Sequence, residues 1–275
     1  MSDIIVLLAL FFAGNVIGGV VAGFAPSLLA DLPAAQQNMY IYGGSMLIAL
    51  LLMWGYARIR GSKVAVVRYH FHWLNTSAVL WGIVAIAAIG VIEEPLLSLM
   101  PEEWLESVMK QIGTGGYAIC TTVILAPIFE ELLFRAKLYD MMLRDMTPFW
   151  SVIFTSLCFG VVHLEPIVVV EAALSGVIFS YFYIQRHSIF SPIILHMINN
   201  ALAYLMLMMK YQERTATDFI SDSNLYGILY AISAVGVLFA AIKIVRRLRK
   251  QKFLLAYLSA EEAEVAENCG VDTNE

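Results

Sequence analysis

Ala126-Pro127-Ile128-Phe129-Glu130-Glu131-Leu132-Leu133-Phe134-Arg135-Ala136-Lys137-Leu138-Tyr139-Asp140 sets two adjacent carboxylates and an arginine inside a run that otherwise reads as a membrane-spanning helix. An Asp, Lys or Arg at the centre of a span costs about 3 kcal/mol on insertion scales, so charged groups persist there with a partner, a wet cavity or a function. Glu131 and Arg135 stand four residues apart with the acid N-terminal, the more favourable orientation for a helical pair. Glu130 projects about 100° away from that pair. One carboxylate is thereby matched by a cation, and its neighbour is left for proton chemistry. Pro127 deletes a backbone donor and predicts a kink just upstream, as occurs where spans line a cavity.

The rest of the chain supports a membrane setting. Hydrophobic residues make up 60% of it and charged residues 14%, which is too apolar for an average soluble domain. The expected fold is an all-α, polytopic transmembrane helical bundle of about eight spans. Their apolar runs cover residues 4–25, 39–56, 76–92, a fourth beginning near 115 and containing the acidic stretch, then 148–162, 166–185, 189–208 and 225–244. Each is close to the ~20 residues that a bilayer demands. The first run lacks a basic n-region and a cleavage site, which marks a retained span. Within it Gly14 and Gly18, and again Gly19 and Gly23, have the spacing of close helix-packing surfaces.

Four segments follow from this reading. Residues 1–114 hold three N-terminal spans and their loops, 115–207 the core with the acidic motif, 208–250 a last span ending in Arg246, Arg247, Arg249 and Lys250, and 251–275 an acidic tail. The tail from Glu261 onward is expected to be disordered and solvated. A second acidic loop is expected to run from Glu93 and Glu94 through Glu102, Glu103 and Glu106, with Trp104 at an interface. Basic clusters follow the second, fourth, sixth and eighth spans, which predicts both termini on the cytoplasmic side. Three scattered cysteines, Cys120, Cys158 and Cys269, make no disulfide framework. His70 and His72 fall among Tyr69, Phe71 and Trp73 in an interfacial aromatic belt, and His187 reads as a solvated loop residue. The expected surroundings are a bilayer, that of a bacterial plasma membrane, and not nucleic acid.

Two later helices carry the polar residues that could meet Glu130. Phe159 and His163 share one helical face, as do His196 and Asn200. Residues 143–148, Leu-Arg-Asp-Met-Thr-Pro, form the turn of a helical hairpin, and Glu130 and His163 are equidistant from its centre. Equal rise on both arms sets them at one height, about 25 Å from the turn. That depth is compatible with wet charges at Lys137, Asp140 and Arg144 if the fourth helix projects beyond the bilayer. His196 and Asn200, two turns into the seventh span, can reach the same cavity.

Such a set permits hydrolysis. A buried carboxylate beside a histidine can hold and deprotonate a water, while a second histidine and an amide donate to the developing oxyanion. Alternatively Glu130, His163 and His196 could hold a divalent metal such as zinc that activates the water. Spacing alone leaves both open.

The three motifs, Glu130-Glu131-Leu132-Leu133-Phe134-Arg135, Phe159 to His163 and His196 to Asn200, resemble the EExxxR, FxxxH and HxxxN motifs of the CPBP intramembrane proteases, the family of the type II CAAX prenyl endoproteases and of bacteriocin-processing-like members. The resemblance covers residues 115–207. It implies an intramembrane endopeptidase that cuts a membrane protein or lipidated, CAAX-like peptide, with Glu130 and His163 activating water and His196 and Asn200 stabilising the oxyanion. Glu131, Arg135 and Phe159 take supporting roles. The family is known both as metalloproteases and through a metal-free glutamate mechanism.

Plainer readings stand beside these. Glu131 and Arg135 can be a packing ion pair, and His163 or His196 taken singly an interhelical hydrogen bonder. Glu165 reads as an interfacial carboxylate at a helix break. Glu171, inside the sixth span, belongs to none of the motifs and is a candidate to touch substrate or water. The alternative function is a non-proteolytic immunity or scaffold protein of the same fold. A proton-coupled transporter using Glu130, Glu171 and His163 as a relay is a third.

Overall fold

The computed structural model describes residues 2–24, 29–59, 76–97, 112–164, 166–186, 188–211 and 223–268, with isolated positions between 101 and 110. His70, His72, Trp104, Glu165, His187 and Cys269 lie outside the described residues. Eight long helices and no strand occur among the described residues. They are α1 (Ser2–Phe24), α2 (Ala34–Ile59), α3 (Thr76–Leu97), α4 (116–145), α5 (Pro148–Val161), α6 (Pro166–Arg186), α7 (Phe190–Tyr211) and α8 (Ser223–Asn268). These match the eight apolar runs of the sequence in order and place, because length and hydropathy dominate helix formation in lipid.

By length and composition five segments are able to cross a membrane: Asp3–Phe24, Ala34–Ile59, Gly116–Leu143, Phe190–Met209 and Asn224–Arg249. Pro148–Val161 and Val168–Ile184 are shorter apolar helices. Large apolar side chains point outward along the bundle, among them Val16, Val21, Ile232, Val235, Leu238 and Phe239. Such exposure suits hydrocarbon, where there is no water to avoid. The inward side chains form two core clusters: Leu7 and Phe11 of α1, Met53 of α2, Phe134 of α4, Phe159 of α5 and Phe179 of α6 take part in the larger, and Tyr139, Val152, Tyr183 and Ile244 in the other.

Glycines set the closest approach. A Cβ on Gly18 would stand 2.6 Å from Ser45 Cα, and one on Gly14 would stand 2.6 Å from Ala49 Cβ, so α1 and α2 pack backbone to backbone along this stripe. Gly19 and Gly23 have nothing within 4 Å of such a Cβ, which corrects the expectation of a second packing face. The two stripes point in different directions on one helix, and only the first meets a neighbour.

Helix α4 carries the acidic motif and departs from a plain α-helix twice. Cys120–Leu125 and Phe134–Tyr139 are π-helical turns that flank the α-helical Ala126–Leu133. The proline therefore acts through a widened turn: Pro127 begins the α-helical segment, and the π turn before it has already shifted the hydrogen-bond ladder. The helix ends at Asp145. Extended Met146 and Thr147 follow, and Pro148 opens α5, as the hairpin reading requires.

Two expectations about charged segments are corrected. Glu93 and Glu94 lie within α3, which continues past them and through Pro95, and Glu93 is buried. Glu94 accepts a hydrogen bond from Tyr226 of α8, so a helix–helix contact holds a carboxylate that composition assigned to a loop. Lys137 is buried, and Asp140 accepts from the Tyr183 hydroxyl at 2.9 and 3.0 Å, so both have surroundings within the bundle. Finally, α8 runs on to Asn268, which makes 261–268 helical where disorder was expected. Alanine and glutamate are good helix formers, and the preceding span supplies the nucleus.

Candidate active site

The site forms where α4, α5, α6 and α7 converge, with a contribution from α2. Its floor is a fully buried ion pair. Arg135 Nη1 donates to Glu131 Oε1 at 2.8 Å, both side chains wholly buried. Arg135 Nη2 donates to the Gly176 carbonyl at 3.1 Å. The guanidinium carbon lies 4.4 Å from the centre of the Phe159 ring and 5.4 Å from that of Phe179, within cation–π range. A Cβ on Gly176 would meet Arg135 Nη2 at 3.2 Å and Phe159 Cδ1 at 3.3 Å, so a larger residue there would crowd the arginine.

Glu131 Oε1 also lies 2.9 Å from His196 Nδ1. Glu131 Oε1 already accepts from Arg135, so in this contact His196 Nδ1–H is the donor. The ring of His196 is stacked on Phe179, with centroids 4.7 Å apart, and meets the edge of Phe159 at 5.5 Å. His163 is fixed by a parallel device. Its Nδ1 lies 2.7 Å from the Phe159 carbonyl, which can only accept, so Nδ1 again carries the proton. Both histidines therefore present Nε2 to the same place.

Glu130 occupies that place. It is buried, and its Oε1 accepts from the Tyr42 hydroxyl of α2 at 2.7 Å. Its Oε2 makes no hydrogen bond within the protein. It faces His196 Nε2 at 3.7 Å and His163 Nε2 at 4.0 Å. Both distances exceed direct hydrogen bonding. The equal-height argument for Glu130 and His163 thus holds across the hairpin. Adjacent positions on the helix also separate Glu130 from Glu131: the first faces both imidazole Nε2 atoms, the second the Arg135 guanidinium and His196 Nδ1.

Asn200 is reached through the backbone. Its Nδ2 donates to the Thr122 carbonyl in the first π turn of α4 at 2.9 Å, which leaves the second amide hydrogen for another acceptor. Asn199 is committed elsewhere, donating to Glu171 Oε1 at 2.7 Å and accepting from Ser175 at 3.3 Å. Ser175 also contacts Glu171 Oε1 at 3.1 Å. Glu171 is therefore part of a neighbouring α6–α7 network, within electrostatic reach of Glu93. Tyr42, Phe179 and the carbonyls of Thr122 and Gly176 carry no mark in the sequence. Among the described residues no group of three His, Cys, Asp or Glu side chains is arranged to hold a metal ion.

The fold and this constellation define an all-helical integral membrane protein with a buried carboxylate–histidine site. Residues 114–202, the segment that holds the three motifs, match the family model described as type II CAAX prenyl endopeptidase Rce1-like. The chain is also similar to a Bacillus subtilis (strain 168) protein described as "Putative membrane peptidase YdiL", with 24% identity over 116 residues, 41% of this chain and 48% of the relative. The match thus spans about half the length of that relative. No solved structure matches the chain. The family points to protease chemistry at a membrane.

Proposed function

We propose that the chain is an intramembrane endopeptidase that hydrolyses a peptide bond of a membrane-associated protein or lipidated peptide. The observation that carries this reading is the Oε2 of buried Glu130, which makes no hydrogen bond within the protein and faces two imidazole Nε2 atoms at 3.7 and 4.0 Å. A water held there gives its proton to Glu130, with His163 Nε2 accepting the second hydrogen as a hydrogen bond. The resulting hydroxide attacks the scissile carbonyl carbon. His196 and the second amide hydrogen of Asn200 donate to the oxyanion, and the proton on Glu130 then passes to the leaving amine nitrogen. For that role His196 needs a hydrogen on Nε2 in addition to the one on Nδ1; Arg135 already pairs with Glu131, so the imidazolium is balanced by the Glu130 carboxylate before proton transfer and by the oxyanion after it. General base catalysis of this kind is worth ~10²–10⁴-fold and one oxyanion donor ~10²–10³-fold.

Zinc held by Glu130, His163 and His196 is the other route to an activated water. The described side chains do not form a three-ligand site, so the steps above are derived from the protein groups alone, and a chelator separates the two routes. The test of function is quantitative mass spectrometry of membrane-protein termini in cells carrying the wild-type chain or Glu130→Gln at equal abundance. The amide keeps size and hydrogen bonding but cannot act as the base. New termini confined to the wild type, retained in the presence of chelator, are expected. Identical termini together with a retained phenotype would instead favour a non-proteolytic scaffold.

A further inference from the structure

We propose that Tyr42 is a positioning residue for Glu130, so that a helix outside the family-matched segment completes the site. This inference rests on the proteolytic reading above. The phenol has one hydrogen, and the 2.7 Å contact commits it to Glu130 Oε1. A hydroxyl donor to a carboxylate is a charge-assisted bond, among the stronger of its kind. The two oxygens of Glu130 thereby become unequal. Oε1 is tied to α2, and Oε2 alone is turned to His163 and His196.

That inequality persists through the reaction. When the water proton arrives on Oε2, Oε1 becomes the carbonyl oxygen of a carboxylic acid and still accepts from Tyr42. The carboxyl cannot rotate to exchange its oxygens without breaking this bond, so the proton stays on the side where the leaving amine will form. Glu131, the adjacent carboxylate, is engaged through its Oε1 with Arg135 and His196.

The position of Tyr42 is itself fixed. Ser45, one turn along α2, bonds back to its own helix by donating to the Ile41 carbonyl at 2.7 Å and sits against Gly18 of α1. Ala49, a further turn on, sits against Gly14. The glycine stripe of α1 thus holds α2 in the register that delivers the phenol to Glu130. The N-terminal helices therefore act on the reaction as well as anchoring the chain.

The test compares wild type, Tyr42→Phe and Glu130→Gln. Each is purified, and turnover is measured on a synthetic peptide spanning the cleavage site that the terminus experiment identifies, alongside thermal unfolding. Tyr42→Phe keeps the ring and its packing. It is expected to lower kcat about 10–100-fold, the effect usual for partners that orient a catalytic group, with KM and the unfolding midpoint unchanged. Wild-type kcat in Tyr42→Phe beside an inert Glu130→Gln overturns the positioning role and leaves proteolysis standing. A fall in kcat accompanied by an equal loss of thermal stability marks a packing role and also overturns it. Wild-type turnover by Glu130→Gln overturns the proteolytic reading and this inference with it.

Discussion

Two polar clusters lie side by side in the apolar bundle, and they are built on opposite principles. Around Glu171 the groups are already paired, with Asn199 at 2.7 Å and Ser175 at 3.1 Å from one carboxylate oxygen. Around Glu130 one oxygen is tied and the other faces two histidines at 3.7 and 4.0 Å with no bond to either. A buried acceptor left without a partner costs free energy, about 1–3 kcal/mol; Glu131 Oε2 is in that state too, but it is Glu130 Oε2 that faces two imidazole Nε2 atoms. The contrast separates a carboxylate used to join helices from one held ready for chemistry.

The sharpest way to break the comparison is to exchange roles across it. His163→Ala is expected to lower processing by about 100-fold or more, the scale of a lost acid–base partner, whereas Ser175→Ala should leave the rate near wild type. Initial rates of appearance of the processed terminus check both.

The floor beneath Glu130 provides the next contrast, this time in stability. Arg135→Ala leaves the carboxylate of Glu131 buried with its cation removed, and a loss of about 3–5 kcal/mol is expected from denaturant unfolding in detergent. Should Arg135→Ala remain as stable as wild type, the ion pair is not a structural element of the site. Along α1, Gly18→Leu should cost about 1–3 kcal/mol by overpacking against Ser45, while the same substitution at Gly23, where nothing lies within 4 Å, should be near neutral. Midpoints of thermal unfolding distinguish the two.

The smallest effect is expected at Glu171. Its replacement by Gln retains an oxygen acceptor for Asn199 and Ser175, so stability should change by no more than about 1 kcal/mol.

Much of this was legible in the sequence because membrane helices announce themselves. Runs near ~20 apolar residues fix the spans, and charge within them is so unfavourable that Glu130, Glu131 and Arg135 stand out without any structure. Hairpin arithmetic placed His163 level with Glu130. What the sequence could not disclose depends on distance along the chain. Tyr42 lies 88 residues from Glu130 and sits in an apolar helix where tyrosine is unremarkable. Glu93 reads as the start of an acidic loop, since its burial depends on helices that arrive much later in the chain. The π turns of α4 were equally silent, although a proline inside a span hinted at irregular backbone there.

The most direct test of the difference between the clusters is to measure, side by side, the rate of substrate cleavage by Glu130→Gln and Glu171→Gln proteins of equal abundance and verified folding. The account predicts that cleavage disappears with Glu130→Gln and persists with Glu171→Gln. Cleavage that survives Glu130→Gln, or that is lost only with Glu171→Gln, would contradict it.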